Sequence, residues 1–201
     1  SKLEHSGKAL QDFNTAIDLQ ADFTAALFQR GILHAKMGEL KNAIQDFDNV
    51  IQAKPDFGLA YKRRGIARLN SEMHEESLRD FSRAIELLPA DAELYNNRGM
   101  VFTALHDFAF AIADFERAMA VNQEEAPQVF NNQAWLLATC GESKHRNGEL
   151  ALRYAKRACE LSQWSYYGTL DTLAAAYAEL GRFEDAIRWQ KKAIAYAPAE
   201  N

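Results

Sequence analysis

The sequence predicts an all-α fold, a solenoid of repeated helical hairpins running over residues 1–201 as one domain without a linker. Two observations carry that prediction. The first is a fixed internal period: Phe13, Phe47, Phe81 and Phe115 recur every 34 residues, each directly after an aspartate (Asp12, Asp46, Asp80 and Asp114). Gly31, Gly65 and Gly99 keep the same period, each behind an arginine, and Pro55 and Pro89 share it. A repeat of that length marks stacked supersecondary units, none of which can bury its apolar face alone. The second is the apolar spacing inside each unit, which follows the helical rather than the strand period.

Taken in order, the chain opens with a half repeat at 4–19 that carries only a second-helix pattern. Full units follow at 24–57, 58–91 and 92–125. In the first, residues 24–37 make one helix, and Met37–Leu40 (MGEL) ends it with a glycine suited to a C-cap. Residues 40–53 make the second helix, closed by Pro55, which has no place inside one. A glycine within the first helix costs about 1 kcal/mol against alanine. Its recurrence at one phase implies close approach of the facing helix, where Ala43, Ser77 and Ala111 supply small residues. The unit at 127–161 has helices in VFNNQAWLLATC and GELALRYAKRACEL, and its connector, GESKHRNG, is about five residues longer than in the other units. The last unit, 167–200, holds Ala174, Tyr177, Ala186, Ala193 and Pro198 in phase.

An aromatic, glycine, alanine, phenylalanine and proline at these phases of a 34-residue helix–turn–helix resemble the tetratricopeptide repeat (TPR) family over nearly the whole chain. The lengthened fourth unit is similar to one found in many bacterial arrays of this kind. The resemblance implies a right-handed superhelix of five repeats and a half, in which each repeat touches only its neighbours.

Several recurring residues read as structural. Arg30, Arg64 and Arg98 each precede an aspartate by sixteen residues, and both partners are absent together from the last two units, where Gln133 and Leu173 replace the arginine. This predicts ion pairs Arg30–Asp46, Arg64–Asp80 and Arg98–Asp114, a role that suits the guanidinium fork. Tyr61, Tyr95 and Phe130 fall at core phases with Phe47, Phe81 and Phe115. Cys140 and Cys159, in apolar surroundings, read as buried thiols rather than a disulfide.

The functional candidates come from the resemblance. In TPR arrays the concave surface is formed by the first helix of each pair, which here implies a groove containing Lys62, Arg63, Ile66, Asn96, Asn97, Met100, Asn131, Asn132 and Trp135. The same mapping places Phe28, Gln29, Ile32, Thr103, Gln128 and Thr139 on that face. Two asparagine doublets in helices are notable, because asparagine competes for backbone hydrogen bonds and is a poor helix former. A side-chain amide donates and accepts at once, so it can hold the backbone of an extended peptide. Asn97 and Asn132 resemble a short version of the asparagine ladder in the TPR region of O-GlcNAc transferase. The heat-shock carboxylate clamp is not matched: Lys62 and Asn97 fit it, but Ile66, Gln128 and Asn132 occupy the other places. The implied function is a scaffold that binds an extended segment of a partner protein. A structural, self-assembling array and a regulatory appendage of a larger protein are the alternatives.

Composition excludes several classes. A formal charge of −5 without a basic block gives no nucleic-acid footprint, and no apolar run is long enough to enter a bilayer. The five histidines (His5, His34, His74, His106, His145) show no metal-ligand spacing, and no glycine-rich phosphate loop or nucleophile elbow is present, so neither enzyme activity nor a metal or cofactor is expected. Nothing at the N-terminus resembles a signal peptide, but the chain starts at Ser1 within a repeat and reads as an excised piece, so compartment stays open. Exposed ends predict weak self-association.

Overall fold

The structure, a computed structural model, describes residues 2–19, 24–122 and 127–198, without the side chains of residues 2–6. The His5 side chain and the ends of the units expected at 123–125 and 199–200 lie outside the described residues. Among the described residues there are helices and no strands. In order they are α1 (Lys2–Leu19), α2 (Thr24–Lys36), α3 (Leu40–Ala53), α4 (Gly58–Leu69), α5 (His74–Leu87), α6 (Ala92–Ala104), α7 (Phe108–Val121), α8 (Pro127–Thr139), α9 (Gly148–Leu161), α10 (Tyr167–Glu179) and α11 (Phe183–Tyr196), with a 3-10 turn at Ser143–His145. The expected helices are therefore present, with boundaries shifted by a residue or two, and α2–α3, α4–α5, α8–α9 and α10–α11 pack as hairpins.

The turn inside the repeats is the same structure several times over. Gly38, Glu72, His106 and Gly181 all take a left-handed backbone, with φ of 79°, 59°, 63° and 70°. Around each, an amide returns to a carbonyl five residues earlier: Glu39 to His34, Met73 to Arg68, Asp107 to Phe102 and Arg182 to Tyr177, at 2.8–2.9 Å. This is the Schellman closure of a helix C-terminus, for which glycine is the preferred residue. Only two of the four turns use it.

The chain forms two compact units, residues 1–101 and 102–201. In the first, α2 packs on α3, α3 on α4, α4 on α5, and α1 on α2. Phe47 and Phe81 are wholly buried, and each lies against the glycine of its own repeat. A methyl group on Gly31 would sit 2.8 Å from the Phe47 ring, and one on Gly65 would sit 3.0 Å from the Phe81 ring. The glycine phase is thus explained by the aromatic. The small residue opposite has its own contact, since Ser77 Oγ donates to the Gly65 carbonyl at 2.8 Å. In the second unit α8–α11 share a core of Ala134, Leu137, Ala151, Ala155, Leu170, Leu173 and their neighbours. Asn147 starts α9, its side chain accepting from Leu150 N at 3.0 Å, and its own amide donates to Leu137 O. The long connector is tied down at that point. Cys140 and Cys159 are both free and buried.

Candidate functional site

The arginine ladder is a structural device with more reach than the sequence suggested. Arg30 grips Asp46 with two nitrogens, at 2.9 and 2.6 Å, and Arg64 grips Asp80 at 3.0 and 2.6 Å. Hydrogen bonding to Asp46 holds the Arg30 guanidinium above its ordinary pKa. One terminal nitrogen of each of three arginines turns to the second helix of the preceding repeat: Arg30 to Asn14, Arg64 to Asp48 and Arg98 to Ser82. Each arginine therefore fastens a helix sixteen residues behind it. The backward partners carried a 34-residue period of polar residues, Asn14, Asp48 and Ser82, which is a legible signal only once the forward pair is known. Asp80 also takes Arg68 at 2.7 Å, and His34 occupies the same phase near Asp46. Arg98 belongs to the first unit and Asp114 to the second.

The groove candidates divide by environment. Lys62, on α4, is buried, and its Nζ lies 2.7 Å from both Asp91 and Glu93. Its charge is spent on the start of the third repeat, so it locks helices rather than offering a cation to a ligand. Arg63, beside it, is exposed, and Ile66 is half-buried. On α6, Asn96 is buried with Nδ2 3.9 Å from Met100 Sδ, whereas Asn97 is half-buried. Asn131 and Asn132 are half-buried on α8. Asn97 Nδ2 and Asn131 Oδ1 are enclosed and have no hydrogen-bond partner among the described residues. A buried amide atom left so is costly, and rotation about the broad terminal torsion can present it elsewhere.

Apolar residues recur one turn beyond the amides. Ile32, Ile66, Met100 and Trp135 share one phase of the repeat; the isoleucines are half-buried, and Met100 and Trp135 are 40% and 44% exposed. Beside Trp135 the second unit opens a cavity of about 420 Å³. Thr103, Leu136 and Thr139 line it with Trp135, and the turn and connector add His106, Phe108, Cys140, Gly141 and Glu142. Sequence reasoning found Trp135, Thr103 and Thr139 but missed the rest. His106 and Glu142 lie on non-helical segments that helical periodicity does not reach. Among the described residues no three His, Cys, Asp or Glu side chains are grouped to hold a metal, and no helix is long and apolar enough to cross a membrane.

Residues 24–57 match a family model described as Tetratricopeptide repeat, and residues 168–197 match a second model of the same description. Both matched stretches are tetratricopeptide repeats, and the fold is that of an all-α array of repeated helices. No curated protein matches the sequence. Among solved structures, YrrB, described as a TPR protein with an unusual peptide-binding site, superposes with a TM-score of 0.68 at 20% identity, covering 94% of this chain and 93% of its own. MamA superposes at 0.71 with 17% identity over 88% and 93%. A tetratricopeptide repeat protein from Parabacteroides merdae ATCC 43184 superposes at 0.80 with 16% identity over 98% and 75%. At these identities the likeness is one of fold.

Proposed function

We propose that this array is a non-catalytic scaffold acting over residues 1–201, and that the first-helix face of its repeats binds an extended segment of a partner protein. The observation that carries the reading is the apolar row Ile32, Ile66, Met100 and Trp135, whose last two members stay exposed although the fold has cores to bury them in. Exposed large apolar groups rimmed by polar residues mark interaction surfaces. In this reading Asn97 and Asn132 hold the segment's backbone, while Arg63, Ile66, Asn96, Met100, Asn131 and Trp135 flank its side chains. The peptide-binding site named for YrrB is consistent with such a role.

The test is binding of an arrayed library of random 15-residue peptides to the wild type and to Asn97→Ala/Asn132→Ala, with helicity checked by circular dichroism. Peptides retained by the wild type and weakened at least tenfold by a folded double variant would support the groove. Equal binding by both would move the contact to another face. A second reading, assembly of the array with itself, is favoured by Phe183, Ile187 and Ile194 on α11, all more than half exposed. Light scattering across a concentration series tests it, and a strictly monomeric mass at the highest concentration would exclude it.

A further inference from the structure

The cavity beside Trp135 is built differently from the rest of the groove face. One wall is α8, through Trp135 and Thr139; the opposite side is the helix turn at His106 and Phe108; the lengthened connector closes the end with Gly141 and Glu142. Two of the polar side chains around it, Thr139 and Glu142, already have partners. Thr139 Oγ1 donates to the Trp135 carbonyl at 2.7 Å. Glu142 pairs with Lys144 at 2.9 Å, and that hydrogen bond, with Lys144 and the two histidines His145 and His106 adding their charge, holds the carboxyl below its ordinary pKa. The His106 ring stands edge-on to Phe108, which also meets His145. Apolar surface is what the cavity has left to offer, on Phe108, Trp135 and Leu136.

On the groove reading above, we infer that this cavity is a socket for one large apolar side chain, of leucine, methionine or phenylalanine size, carried by the bound partner segment. Three features fix that chemistry. The wall has no uncompensated charge to recognise an ionic group, since Glu142 is met by a lysine. The volume of about 420 Å³ holds a single large side chain with room to enter. The socket is also continuous with the amide face, because Asn132, Trp135 and Thr139 lie at helical i, i+3 and i+7 positions of α8. A partner backbone held near Asn132 would thus direct a neighbouring side chain toward Trp135. The connector's extra residues supply a wall that a short turn could not.

The test uses the whole chain and two probes: the random 15-residue peptide library, and the N-acetyl amides of leucine, phenylalanine, lysine and glutamate. Thr139→Phe fills the socket from an exposed position, and Trp135→Ala removes a wall; both are checked by thermal melting. The expected result is that library peptides share one large apolar position, and that Thr139→Phe weakens them by roughly tenfold to a hundredfold, the worth of burying such a side chain. Acetyl-leucinamide and acetyl-phenylalaninamide shift the Trp135 indole and Gly141 amide resonances of the wild type, while the lysine and glutamate amides do not. Peptides that lose affinity with Asn97→Ala/Asn132→Ala but not with a folded Thr139→Phe would overturn the socket and leave the groove standing. Peptides weakened by Thr139→Phe alone would keep the socket and remove the asparagines' role. Peptides with no shared apolar position, or probe shifts as large for lysine amide as for leucine amide, would overturn the socket outright.

Discussion

Glu72 and His106 hold a left-handed backbone that a side chain makes costly by about 1–2 kcal/mol, at the phase where Gly38 and Gly181 hold it freely. Glu72→Gly is therefore expected to raise stability by about 0.5–1 kcal/mol, part of the relief being offset by glycine's greater freedom when unfolded. Urea unfolding measures it, and a loss of stability would contradict the assigned turn. At the same scale Asp80 is 2% exposed and holds both Arg64 and Arg68. Asp80→Ala takes the buried partner from two half-buried guanidinium groups, leaving them only Asp48, and is expected to cost about 3 kcal/mol. Asp46→Ala should cost less, because Arg30 is the more exposed partner, at 22% against 14% for Arg64. The Arg30–Asp46 and Arg64–Asp80 pairs were legible in the sequence because both partners vanish together in later repeats. Burial of Lys62 was not legible: its partners Asp91 and Glu93 belong to the next repeat, and no periodic signal ties them to it.

Among the elements, α8 departs most from the repeat it copies. Gln133 stands where three earlier units carry arginine; it is fully buried, and neither end of its amide has a hydrogen-bond partner among the described residues. Leucine there removes two unpaired polar atoms at similar volume, so Gln133→Leu is expected to stabilise by about 1 kcal/mol. Calorimetry checks this, and destabilisation would show that the amide is satisfied in solution. In α9, burial pushes the Cys159 thiol up to about 11, with a hydrogen bond from the Thr169 side chain acting the other way. An unfolded thiol ionises near 8.5. Between those values the unfolded state gives up its proton first, so this group makes stability fall as pH rises from about 8.5 towards 11 and has no effect below. Cys159 should also resist iodoacetamide at pH 9 until the chain is denatured, and rapid labelling of the folded protein would contradict its burial. Helix positions were legible throughout from apolar spacing, glycine and proline. The connector's fold was not, since its order comes from Asn147 bonding back to Leu137 and not from any local pattern.

For the whole molecule, period and punctuation were enough to specify the class, because a repeat of 34 residues repeats its packing contacts as well as its letters. The candidate surface was legible only through the family resemblance, and which of its residues the cores leave exposed was not legible at all. Phe47, Phe81 and Phe115 are absorbed by the interior; Met100 and Trp135 are not. The central claim is that this exposed first-helix row is the working surface. It is tested most directly by photo-crosslinking a biotinylated random 15-residue peptide pool to protein carrying benzoylphenylalanine at position 100 or 135, with position 110 on α7 as reference. Phe110 is 63% exposed, so access to the probe is no obstacle there. Strong labelling from positions 100 and 135 with little from 110 is the expected result. Labelling from 110 equal to or above the other two would contradict the claim and put the partner on a different face.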